Sequence, residues 1–187
     1  MKTLWLLATL GLTLCLPPLA RADENAERFQ RSVDLESEAR YADALRAMDE
    51  ITGTTKGGYL FHLRRGWLYY LDGKYAESIG AYEAAAAKAS RAVEPHLAIL
   101  LPQMAARRWL DAEKTARATL ALDADNYLAA SRLAYVLYNL ARYAEAATVY
   151  ASVLALYPGD IEMRTGYAWA LLKLNQTADA RREFNAV

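Results

Sequence analysis

The sequence predicts an all-helical repeat protein, and three observations carry the prediction. Glycine and proline are scarce, 9 and 5 in 187 residues, which removes most of the punctuation a sheet-rich fold needs for its turns. Alanine, leucine, arginine and glutamate dominate long stretches, and these residues favour helices. Self-similarity at a period of 34 residues runs through the chain, and such a period decides the fold before any local feature does. The length admits one compact domain or one short solenoid, and 55% apolar residues are enough to build a core.

The first element is a targeting segment. Lys2 supplies a positive charge, Leu4 to Leu16 is an almost unbroken apolar run, Pro17-Pro18 breaks it, and Ala20-Arg21-Ala22 offers a small-x-small cleavage site. This is the pattern of a secretory signal peptide over residues 1–22. The apolar run is shorter than the roughly 20 residues a membrane-spanning helix needs, so the mature chain, residues 23–187, is expected to carry no transmembrane segment. Cys15 is the only cysteine and lies inside that run. Leu14 precedes it where lipid attachment favours a small residue, so a lipid anchor is not expected. Without residues 1–22 the chain has no cysteine, which excludes disulfides and thiolate metal sites.

The repeats follow. Rows of 34 starting at Asn25, Tyr59, Val93, Tyr127 and Ile161 align without an insertion. One column reads Tyr41, Tyr75, Trp109, Tyr143 and Thr177. Two residues on, the residue is always acidic: Asp43, Glu77, Asp111, Glu145 and Asp179. The next is always small: Ala44, Ser78, Ala112, Ala146 and Ala180. Four further on stand Met48, Tyr82, Ala116, Tyr150 and Phe184. An acidic residue in the first turn of a second helix interacts favourably with the helix dipole, and the small residue lets two backbones approach.

This spacing resembles the tetratricopeptide repeat family, whose unit is a helix–turn–helix hairpin of about 34 residues. Row four carries the resemblance in Leu133, Ala134, the turn Arg142-Tyr143-Ala144-Glu145-Ala146, Tyr150 and Leu156-Tyr157-Pro158; row two adds Gly66 and Tyr69. Rows one and three depart from the pattern at Arg28, Arg31, Ser32, Leu100 and Ala116. The resemblance implies a right-handed superhelical solenoid of antiparallel helix hairpins, with four full repeats and a partial fifth.

Asn25 to about Glu38 is mostly charged, with Phe29, Val33 and Leu35 as an apolar stripe, and reads as an N-terminal cap. Thr52 to Gly58 is expected to be the loosest stretch, able to let row one move. Ala178 to Val187 reads as a second helix with Phe184 and Val187 uncovered.

In this family first helices line a concave groove, so a first helix needs two stripes. Row four provides Ala130, Leu133, Ala134 and Leu137 for packing and Leu128, Ser131, Tyr135 and Tyr138 for the groove. The candidate groove residues are Leu60, Leu63, Trp67, Tyr70, Leu101, Met104, Tyr135, Tyr138, Asn139 and Trp169. The competing reading is that many of these are buried between repeats. The Lys/Asn/Arg clamp with which some members hold chaperone C-termini is not matched: the corresponding stretch offers Phe29, Val33, Leu63, Trp67, Leu97 and Leu101, and Arg64 and Arg132 do not complete a clamp.

Lysine plus arginine equals aspartate plus glutamate, 22 each, with no basic stripe; nucleic acid is not an expected partner. His62 and His96 are one period apart with no third ligand, which favours packing over a metal site. There is no phosphate-binding glycine loop, H-E-x-x-H or G-x-S-x-G, so no catalytic residue, cofactor or metal is nominated. The resemblance and the signal peptide together imply an exported, periplasmic, non-catalytic scaffold that binds a protein or peptide partner. A second reading is a carbohydrate-binding accessory of polysaccharide export, with Trp67, Tyr70, Tyr138 and Trp169 clustered and exposed beside Asn139. A third is self-association through the C-terminal helix.

Overall fold

The computed structural model describes residues 18–187, so most of the expected signal peptide, with Cys15, lies outside the described residues. Regular structure among the described residues is helical throughout. The order is α1 (Pro18–Ser37), α2 (Tyr41–Asp49), a short 3-10 turn (Gly53–Thr55), α3 (Tyr59–Leu71), α4 (Tyr75–Lys88), α5 (Val93–Ala105), α6 (Trp109–Leu122), α7 (Tyr127–Asn139), α8 (Tyr143–Leu156), α9 (Ile161–Lys173) and α10 (Thr177–Asn185). From α3 onward each first helix starts 34 residues after the previous one. Each helix packs on its chain neighbours, and α3, α5, α7 and α9 also touch one another in sequence. The fold is therefore a helical solenoid of hairpins, with its first helices side by side on one face.

The columns explain the stacking. The small residues Ala44, Ser78, Ala112, Ala146 and Ala180 are all buried, and Ser78 Oγ donates to the Gly66 carbonyl at 2.7 Å. Gly66 is required there: a Cβ would stand 2.6 Å from the Tyr82 ring. The apolar interior falls into three clusters. One, around Leu45, Met48, Ile51 and Leu68, joins α1 to α3. A small one, Ile79, Tyr82 and Ile99, bridges to α5. The largest, centred on Leu133, Val136 and Leu137, holds α5 to α9 together.

Every hairpin turns through a residue in the left-handed region, at Ala39, Gly73, Arg107, Ala141 and Asn175, again one period apart. At each, two backbone bonds close the end of the first helix; Ala141 N donates to Tyr138 O and Arg142 N to Leu137 O, both at 3.0 Å. This is the Schellman closure, normally made with glycine. Only one of the five is glycine, which is why the sequence shows no glycine period at this turn.

Two expectations about the ends change. Thr52 is anchored: Asn25 Nδ2 donates to its carbonyl at 3.0 Å, and its N–H donates to Asn25 Oδ1 at 3.2 Å. The start of the linker is thus tied to the first repeat by a buried asparagine that the charged look of α1 conceals. Phe184 is half-buried rather than bare, edge-on to Trp169 with ring centroids 5.2 Å apart. Val187 remains exposed.

Candidate partner-binding groove

Side-chain caps set the walls of the candidate groove. Asn126 Oδ1 accepts the Ala129 N–H at 3.0 Å and starts α7. Asp160 Oδ1 accepts the Met163 N–H at 3.0 Å and starts α9. The other Asp160 oxygen accepts the Tyr127 hydroxyl at 2.6 Å, tying the two helix starts together. This pair holds the Asp160 carboxyl below its ordinary value, the Met163 N–H contributing most, and pushes Tyr127 up to about 12, chiefly through its bond to Asp160.

Between those walls lies a cavity of about 770 Å³. Its floor is Tyr150, which is buried and pushed up to about 12 by that burial. Its sides are Met104, Leu128, Tyr135, Tyr138, Met163 and Trp169, with Ser131, Arg132, Glu162 and Thr165 as polar members. Register explains the room. Position 166 of α9 corresponds to Arg132 in α7 and Arg64 in α3, but it is glycine. Tyr150 occupies that space, so a Cβ on Gly166 would meet its ring at 2.5 Å. The register partner of Gly66, on which Tyr82 rests, is Ala134 in repeat four. Tyr150 therefore has no glycine within its own hairpin and leans on that of the next.

Of the residues named from the sequence, Met104, Tyr135, Tyr138 and Trp169 come together in this cavity. Tyr135 and Trp169 are each 47% exposed. Leu101 lines a second, shallower hollow of about 440 Å³ with Val93, Leu97, Leu128 and Arg132. The N-terminal members do not join either. Leu63 and Trp67 pack on the Ile79–Tyr82–Ile99 cluster, Tyr70 lies against Trp67 at 5.7 Å, and Leu60 stands alone at 68% exposure. Asn139 is exposed and donates to the Tyr135 carbonyl at 2.8 Å. The four aromatics of the carbohydrate reading are thus divided, with Trp67 and Tyr70 apart from Tyr138 and Trp169. Arg132, Glu162, Thr165, Gly166 and Tyr150 were not among the named groove residues; the arginine-to-glycine change in one column was the available signal.

No group of three histidine, cysteine or acidic side chains that would hold a metal occurs among the described residues. No described helix is long and apolar enough to cross a membrane.

Sequence profiles of the tetratricopeptide repeat match residues 29–93 and 103–161 in one case and 140–187 in another. The chain belongs to the tetratricopeptide repeat family. Its repeats make it a protein-interaction scaffold in general terms. Solved structures similar to it include MamA of AMB-1, at 18% identity over 85% of this chain and 94% of that one, TM-score 0.72. Another MamA structure shares 14% identity over 88% and 90%, TM-score 0.77. The MamA RS-1 ArsTM double mutant shares 12% over 87% and 92%, TM-score 0.79. At these identities the likeness establishes the fold alone. No curated protein matches the chain.

Proposed function

We propose that this tetratricopeptide repeat protein is a non-catalytic scaffold of the cell envelope that holds a segment of a partner protein between α7 and α9. The observation that carries the proposal is the aromatic cavity on the first-helix face, with Tyr135 and Trp169 half in solvent. Apolar surface gathered into one concave patch supports an interaction site, and tyrosine and tryptophan provide rigid contact area at low entropic cost. The few polar lining groups suit orientation of a ligand rather than its transformation. The envelope location rests on the pattern of residues 1–22.

The test is affinity capture from native envelope extract with three baits: the native chain, a Tyr135→Ala/Trp169→Ala variant and a Leu110→Ala control. Leu110 is exposed on α6, away from the cavity. A partner retained by the first and third baits and lost by the second is the expected result. Identical capture by all three would overturn the groove assignment.

A further inference from the structure

One first-helix arginine position has a carboxylate partner within the chain in repeat two and none in repeat four. Arg64 and Arg132 are two periods apart and hold the same place in α3 and α7. Arg64 pairs with Glu36 of α1 and donates to Ser32, from Nε to Oγ at 3.0 Å and from Nη2 to the carbonyl at 2.8 Å. Trp67, one helical turn on, donates its indole N–H to the other oxygen of Glu36 at 2.8 Å. A first-helix arginine and the aromatic three residues later therefore hold one glutamate between them, and that glutamate comes from a helix.

In repeat four the corresponding pair is Arg132 and Tyr135. The residue in register with Glu36 is now Met104, and the one in register with Ser32 is Leu100. Neither carboxylate nor hydroxyl is supplied. Arg132 donates Nη1 to the Leu97 carbonyl at 2.7 Å and makes no ion pair among the described residues. Glu162 shares its cavity and Glu94 and Asp123 line the adjoining hollow, but none of them reaches it. Gln103 Oε1 is the only buried side-chain polar atom lacking a partner among the described residues, so the remaining Arg132 donors reach solvent, and Arg132 lines both hollows. Burial lowers the Arg132 pKa; the one group acting against this is the Tyr70 hydroxyl, not a carboxylate. A half-buried cation without a counter-ion gains more from an incoming carboxylate than a solvated one does.

We propose that the cavity recognises a glutamate carried on a helical segment of a partner protein, its carboxylate taken by Arg132 and Tyr135 and its apolar neighbours resting on Trp169, Leu128 and Met104. This rests on the groove reading above and adds to it the chemistry of the partner. Helix-in-groove recognition places anchors at i, i+3, i+4 and i+7, which fits one acidic residue between two apolar turns.

The test is selection of a displayed library of helical peptides on the native chain, followed by affinity measurement on the enriched peptides. An acidic residue at one fixed position between apolar ones is expected. Changing it from Glu to Gln should weaken binding by about 10- to 100-fold, the range of a hydrogen bond to a charged group. Arg132→Met should bind Glu and Gln peptides alike, and its binding of the Gln peptide shows that it is folded. Tyr135→Phe removes only the hydroxyl of a half-exposed ring and should narrow the Glu preference while leaving the ring packing in place. Enriched peptides that lack an acid, or tolerate Gln on the native chain, yet are released by Trp169→Ala, would overturn the glutamate proposal and leave the groove standing. Peptides indifferent to Trp169→Ala, or no enrichment, would overturn the groove itself.

Discussion

Ala141 has φ 59°, and with Ala39, Arg107 and Asn175 it places an ordinary side chain where glycine is the unstrained choice. A Cβ in the left-handed region costs roughly 1–2 kcal/mol, and part of any relief is lost to the greater freedom of unfolded glycine. Ala141→Gly is therefore expected to stabilise the chain by about 0.5–1 kcal/mol, and Gly73→Ala to destabilise it by a similar amount. Urea midpoints of the two variants check both signs; a lower midpoint for Ala141→Gly would show that the turn is not strained. The same scale explains why rows one and three depart from the family pattern. Ser32 and Leu100 occupy one column, yet both side chains are fully buried. Ser32 bonds to the Phe29 carbonyl and to Arg64, whereas Leu100 packs in the largest apolar cluster.

At the scale of the element, the start of α9 is set by Asp160 and through it by Tyr127. Folding lowers the Asp160 pKa below 3.8. A carboxylate so shifted adds stability above its unfolded pKa and loses it as pH falls through the folded value. Asp160→Asn keeps a capping oxygen but gives up the charge, so it should lower stability by about 1 kcal/mol at pH 7. Well below 3.8, once the carboxylate is protonated in the folded chain too, the native chain should lose that advantage and the two should converge. Thermal unfolding at both pH values checks this, and a constant gap would mean that the charge contributes nothing. The outer helices are tied differently. Arg142 reaches Glu113 of α6 at 2.5 Å and Glu145 at 2.6 Å, and Arg117 reaches the same two carboxylates at 2.8 and 3.5 Å. Arg117, Arg142 and Glu145 are well exposed whereas Glu113 is mostly covered, and pairs with exposed partners add little to stability singly. Two of the four contacts, Arg142–Glu113 and Arg117–Glu145, cross between neighbouring hairpins.

For the whole molecule, stability is a sum over repeats and the interfaces between them, because each hairpin touches only its neighbours. The interior is continuous from α5 to α9 and thinner where the small middle cluster joins α3 to α5. Hydrogen exchange should therefore be graded. The amides of α7, where Val136 and Leu137 are fully buried, are expected to exchange last. Those of α10 and of the α1–α2 hairpin should exchange first. Mass spectrometry of exchanged peptides reads the order directly, and a single rate along the chain would show one cooperative unit instead.

The period of 34 and the small, acidic and aromatic columns were legible from residues alone, because every hairpin faces the same packing problem and meets it with the same residue types. They determined the helical solenoid and the starts of α3, α5, α7 and α9. The candidate groove was legible only in part. Periodicity shows which residues share a stripe, and that brought Met104, Tyr135, Tyr138 and Trp169 to one cavity. It does not show what a neighbouring repeat places against the stripe. Trp67 has the same register as Tyr135, yet Glu36 takes its N–H and the middle cluster covers its ring. Whether an aromatic lies open or closed, and whether an arginine finds its counter-ion within the chain, was decided by contacts between side chains about 30 residues apart, which only the tertiary structure brings together.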